Sequence, residues 1–112
     1  MKPIDCEQRR VVNIDSGEFL PFHDDEGHPD GEVLQINPNK KLGYGFHVYR
    51  MPPGHTTTAH VHEGDEEFLI LEGEIIDHDG YRYRKGDLVW LEAKTKHNSY
   101  TPNGALIAVY FR

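Results

Sequence analysis

The chain has 112 residues, 12 basic and 19 acidic, for a net charge of −7. That length suits one compact domain with a single core, and a surface this acidic argues against nucleic acid and anionic membrane as partners. The longest apolar run is far short of a membrane span, the N-terminus MKPIDCEQRRVV has no apolar secretion segment, and the single cysteine, Cys6, allows neither an internal disulfide nor a thiolate cluster. A cytoplasmic location is the expectation, with Cys6 a bystander near a flexible end.

No stretch of a dozen residues keeps a helical apolar period free of Gly or Pro. Short apolar and β-branched runs recur instead, and in chain order they predict strands at 11–14, 33–36, 45–51, 66–71, 74–76, 87–91 and 106–111. Between the first two, FHDDEGHPDGE, residues 22–32, reads as a solvated loop whose His23 and His28 are at most an adventitious surface metal site. NPNKKLG, MPPG, LEG, HDG, RKGD and TPNG separate the later runs. Asp79-Gly80 and Asn103-Gly104 read as tight hairpin turns, since type I′ geometry needs positive φ. Evenly spaced short strands of this kind predict an all-β sandwich or barrel in a single domain. YRYRK, residues 81–85, reads as a solvated edge strand.

GHTTTAHVHEGDEEFLILEG, residues 54–73, carries the chemistry. On a strand His60 and His62 share a face, roughly 6.6 Å apart, a spacing that lets two imidazoles converge on one ion. Gly64 is a natural turning point that brings Glu66 onto the neighbouring strand. Phe68 and Ile70 follow on the face of Glu66, and Leu69 and Leu71 take the other. His97 opens a later strand-like stretch and supplies a fourth ligand, with Ser99 and Thr101 on its face. Imidazole and carboxylate ligands together suit a divalent transition metal such as Fe, Zn, Ni, Mn or Cu. His47 and Tyr49, before MPPG, are further pocket candidates, although Phe46 and Val48 compete with them for the inward face. His55 and His78 are expected at the surface, and Leu88 and Trp90 in the core or an interface.

Gly54, His60, His62, Glu66 and Gly73 keep the spacing of the first cupin motif, and Gly86 with His97 resembles the second. Three positions depart: the usual proline and glycine before the last histidine are Glu92 and Lys94, and the closing asparagine is Thr101. The turn before His97 is therefore open to a different shape, and Glu92 is expected to add charge near the pocket mouth. The segment EEFLILEGEIIDHDGYRYRKGD resembles the cupins related to the C-terminal domain of the ChrR anti-sigma factor. The resemblance implies a double-stranded β-helix, or jelly-roll barrel, over residues 31–112, with residues 1–30 as an N-terminal strand and loop extension. It also implies a metal held by His60, His62, Glu66 and His97.

Such a site would act on a small bidentate oxygen-containing molecule. A dioxygenase-like enzyme is the leading expectation, with no catalytic base assigned. A ChrR-like metal- or ligand-sensing domain and a metal-dependent isomerase of a sugar or keto acid are the alternatives. Fold and metal are common to all three and do not choose among them. The doubly apolar run 66–71 adds the expectation of a homodimer.

Overall fold

Ten strands and one three-residue 3-10 turn, Cys6–Gln8, make up the regular structure of the chain, which a computed structural model describes over residues 1–112. The strands are β1 (Leu20–His23), β2 (Pro29–Leu34), β3 (Gly45–Met51), β4 (His60–Val61), β5 (Glu66–Asp77), β6 (Arg82–Arg84), β7 (Leu88–Leu91), β8 (Lys96–His97), β9 (Ser99–Tyr100) and β10 (Ala105–Phe111). The fold is all-β, and no helix is long and apolar enough to cross a membrane. β1, β2, β3, β10, β5 and β6 lie side by side in that order, β7 and β9 also pair with β5, and β4 pairs with β8 apart from the main sheet.

β5 organises the barrel. Its first half lies between β10 and β7, and its second half pairs with β6 and β9. One long strand therefore serves both walls, and the sheet curls around Met51, Phe68, Ile70, Ile75, Ile107 and Val109. The sequence reading splits this strand at LEG, and the structure fuses the two parts through an irregularity. Leu106 faces Glu72 while Ile107 faces Ile70, which leaves Leu71 as the extra residue of a bulge. Even-numbered Glu66, Phe68 and Ile70 are buried before the bulge, and odd-numbered Ile75 and Asp77 are buried after it. Gly73 closes the irregularity at φ 77, where an added Cβ would run into the Gly104 carbonyl. A glycine is needed there on both counts.

Four other expectations change. Residues 11–14 form no strand; the Asn13 carbonyl instead accepts from the Ser16 and Gly17 amides in a turn, and Val11 stays exposed. Residues 22–32 are not an open loop, because β1 and β2 pair antiparallel around a turn at 24–28. The Asp24 side chain nucleates that turn by accepting from the Glu26 and His28 amides, while the Phe22 ring lies against Gly43. The boundary drawn after residue 30 falls inside β2. Asp79-Gly80 does reverse the chain between β5 and β6, but Asn103-Gly104 makes no hairpin, since β9 pairs with β5 and β10 with β3 and β5.

The turn before His97 keeps a left-handed residue despite its sequence. Lys94 has φ 68, the one non-glycine with positive φ, and its amide donates to the His62 carbonyl at 2.7 Å. A side chain in this region costs roughly 1–2 kcal/mol, offset in part by glycine's greater freedom in the unfolded chain. Lys94→Gly is therefore expected to stabilise the fold by up to about 1 kcal/mol. An unchanged or lowered denaturant midpoint would contradict this.

Candidate metal centre

The β4–β8 pair aligns His60 with His97 across two strands. The chain leaves β4 through His62, and β5 returns Glu66 to the same space. Ligand atoms of His60, His62 and His97 lie within 4.8 Å of one another, close enough to hold a metal ion. Glu66 Oε1 lies 3.0 Å from His97 Nε2 and 3.8 Å from His62 Nε2.

Each ring is oriented by its surroundings. His60 Nδ1 sits 2.6 Å from the Thr58 carbonyl, which can only accept, so Nδ1 carries the proton and Nε2 keeps a free lone pair. His97 turns Nδ1 toward Asp77 Oδ1 at 3.4 Å and Nε2 toward Glu66. His62 stacks on Phe111 with ring centroids 3.9 Å apart. Its Nε2 is buried and has no hydrogen-bond partner in the protein, although buried polar atoms normally find one. Three ring nitrogens, one of them orphaned, with the Glu66 carboxylate beside two of them, are a donor set that fits a first-row transition metal.

The charges are divided unevenly. Burial, with help from the charges of His60 and His97, holds His62 down at about 3, so it stays neutral and ready to donate a lone pair. Burial would also depress His97, but the carboxylates of Asp77 and Glu66 outweigh it and lift the ring to about 10. In the metal-free protein His97 is thus a cation gripped between two carboxylates. Asp77 is buried, yet hydrogen bonds from His97, Ser99 and Tyr83 keep its carboxyl below the usual range. Nothing in the sequence pattern singles out Asp77; it faces inward only because the β5 bulge reverses the strand's alternation.

A cavity of about 400 Å³ adjoins the cluster. His47, Tyr49, Phe68 and Ser99 line it, as do His60, His62, Glu66 and His97. Odd-numbered residues of β3 face inward, which buries His47 and leaves Phe46 exposed. Two expected pocket residues lie outside the lining. Ile70 belongs to the core beyond the cavity, and Thr101, fully buried, donates to the Glu74 carbonyl instead. Glu92 is exposed and does not reach the cavity. His55 is not a surface residue: its Nε2 sits 2.7 Å from Asp30 Oδ1, which also accepts from the Tyr49 hydroxyl at 3.2 Å. His78 is exposed, and so are Leu88 and Trp90, which therefore build no core.

The barrel and the histidine cluster in its mouth place the chain among the cupins. The profile of the ChrR cupin-like domain matches residues 7–112, so the chain belongs to that family. Among solved structures it is similar to ChrR of Rhodobacter sphaeroides, seen in complex with SigE, at 14% identity and TM-score 0.70. That match covers 89% of this chain and 52% of the other, so this chain spans about half the length of that relative. It is also similar to an acetylacetone dioxygenase from Acinetobacter johnsonii, at 15% identity and TM-score 0.67, covering 99% and 77% of the two chains. A third similar structure, from Thermotoga maritima, is described as a predicted oxalate decarboxylase, at 19% identity and TM-score 0.66, covering 92% and 100%. At these identities the likeness establishes the fold alone. No curated protein sequence matches the chain.

Proposed function

We propose that this cupin is a metal-dependent, dioxygenase-like enzyme acting on a small bidentate oxygen-containing molecule, with His60, His62, Glu66 and His97 as the metal ligands. The orphaned Nε2 of His62 carries the reading, since a buried ring nitrogen without a partner is costly unless an ion takes its lone pair. A bound divalent metal would supply Lewis acidity toward a coordinated substrate oxygen. The protein's own groups do the rest. Phe68, Val109 and Phe111 line the cavity with apolar surface that limits water. Asp77 and the Thr58 carbonyl fix the ring orientations of His97 and His60. His47, which burial keeps neutral, donates Nδ1–H to the Gly45 carbonyl and leaves Nε2 as an acceptor in the pocket wall. Ser99 has its hydroxyl committed to Asp77, so it positions rather than contacts substrate.

The likeness to an acetylacetone dioxygenase guides the test. Fe(II)-loaded protein is expected to consume O₂ on addition of acetylacetone. Metal content without O₂ uptake across diketones and catechols would reject the enzymatic reading. It would leave the sensing alternative, which the likeness to ChrR favours. We also propose a cytoplasmic location and a homodimer. Support for the latter comes from a cross-strand apolar band on the outer face, where Val48, Ala108, Leu69 and Leu88 lie in register on β3, β10, β5 and β7. Phe46 and Tyr110 extend it, and Trp90 follows beyond the exposed Glu67, with Leu88 80% and Trp90 57% exposed. Light scattering is expected to give twice the chain mass, reduced to the chain mass by Leu88→Glu.

A further inference from the structure

Imidazoles aside, every charged group that lines the cavity is a carboxylate. The β1–β2 turn brings Asp24, Asp25 and Glu26 to its rim, and Asp30 stands in its wall. No lysine or arginine lines it, and the only basic groups that do are imidazoles. The rim is built into the site. Asp24 Oδ2 accepts from the Thr58 hydroxyl at 2.8 Å, and the Thr58 carbonyl in turn holds His60. Hydrogen bonds, that of the His28 amide foremost, hold the Asp24 carboxyl at about 2, so it is ionised at every working pH. Asp30 counts for less, because its carboxylate is already engaged by the His55 ring at 2.7 Å and the Tyr49 hydroxyl at 3.2 Å.

Two effects compete for a ligand's charge. A divalent ion held by three neutral imidazoles and Glu66 leaves one net positive charge on the ion and its ligands, which the Asp77 carboxylate behind His97 offsets in part, and a ligand's chelating oxygens answer what remains. The rest of the ligand meets a lining that includes apolar Val33, Met51 and Val109 and the carboxylates of Asp24, Asp25 and Glu26. Dicarboxylic keto acids and sugar phosphates carry an anionic group beyond the chelating one, and the lining offers no lysine or arginine to receive it.

Resting on the metal-pocket reading above, we propose that this pocket selects small chelating molecules whose remaining part is apolar and cationic or uncharged, and rejects those with a second carboxylate or phosphate. The acidic rim is the specificity element.

Three catechols that share a chelating group and differ in side-chain charge test this: dopamine, ethylcatechol and dihydroxyphenylacetate. Each is titrated near neutral pH into the isotope-labelled protein, with and without Zn(II), and followed by amide NMR shifts. Dopamine is expected to bind about tenfold or more tighter than dihydroxyphenylacetate, with ethylcatechol between them. High salt should shrink the ratio, because the rim charges are exposed and screened beyond about 8–10 Å. The Asp25→Asn/Glu26→Gln double variant should shrink it too. Equal or tighter binding of dihydroxyphenylacetate overturns the proposal, as does a ratio insensitive to both salt and the double variant. Absence of binding by all three catechols at millimolar concentration overturns it as well. If Zn(II) leaves the histidine resonances unmoved while dopamine is still preferred, the metal reading fails and the charge selection stands. If Zn(II) binds and the order reverses, the opposite holds.

Discussion

His62→Ala is expected to abolish tight metal binding while leaving the fold standing. Losing a contact behind a metal-binding histidine typically weakens a site about 10–100-fold, and losing the ring itself removes a donor, so more than about 100-fold is expected here. The metal-free protein should lose little. His62 Nε2 makes no hydrogen bond, and the ring's main contact is its stack on Phe111, worth about 0.5–1.5 kcal/mol. The two measurements separate roles. Isothermal titration should show the affinity collapse, and chemical denaturation of the metal-free variant should show a small change. If affinity survives, His62 is no ligand and its orphaned nitrogen needs another explanation.

Asp77→Asn is expected to act on both sides of that divide. Asp77 is buried and is bonded by Tyr83 at 2.7 Å, by Ser99 and by His97. Removing the charge leaves the His97 cation with Glu66 alone. Breaking one side of a buried pair costs of order 3 kcal/mol. Metal affinity should fall about 10–100-fold, because His97 loses the group that sets its ring. The pH profile carries the signature. The folded value of His97 lies near 10, above its ordinary 6.5. Its stabilising contribution is therefore complete below the ordinary value and is lost as pH climbs toward 10. Asp77 shifts the other way, so its contribution is present above the usual carboxylate range and fades as acid protonates it. Metal-free wild type should thus lose thermal stability on going from neutral to alkaline pH, and Asp77→Asn should lose much less over the same window. Parallel profiles for the two proteins would sink the pairing.

Much of the site is legible in the sequence, because strand parity and turn residues act locally. His60 and His62 need only an extended backbone to share a face, and Glu66 needs only the turn at Gly64. His97 comes into reach through β4–β8 pairing, which local pattern does not specify but the motif spacing implies. Asp77 stays hidden because its inward turn depends on a register slip, and two other residues part from their parity for local reasons. Ile70 reads as a pocket residue from its parity with Glu66, yet it is far enough along β5 to reach the core instead. Thr101 reads as pocket-facing from parity with Ser99, yet its hydroxyl is captured by the Glu74 carbonyl. The charge of the β1–β2 hairpin obscures it, since polar residues at a pocket rim and in a solvated loop look alike in one dimension. His55 reads as a surface residue because its partner, Asp30, is 25 positions away.

The β5 bulge also ties the two ends of His97 to one piece of backbone. Glu66 approaches its Nε2 from before Leu71, and Asp77 approaches its Nδ1 from after it, so a single strand holds the ring like a pair of calipers. The length of that strand is thereby fixed. Deleting Glu74, just past the bulge, would swing Ile75 and Asp77 toward solvent and open one jaw, although every residue around the histidine was retained. Divergent relatives can exchange side chains along this strand more freely than they can gain or lose a residue in it.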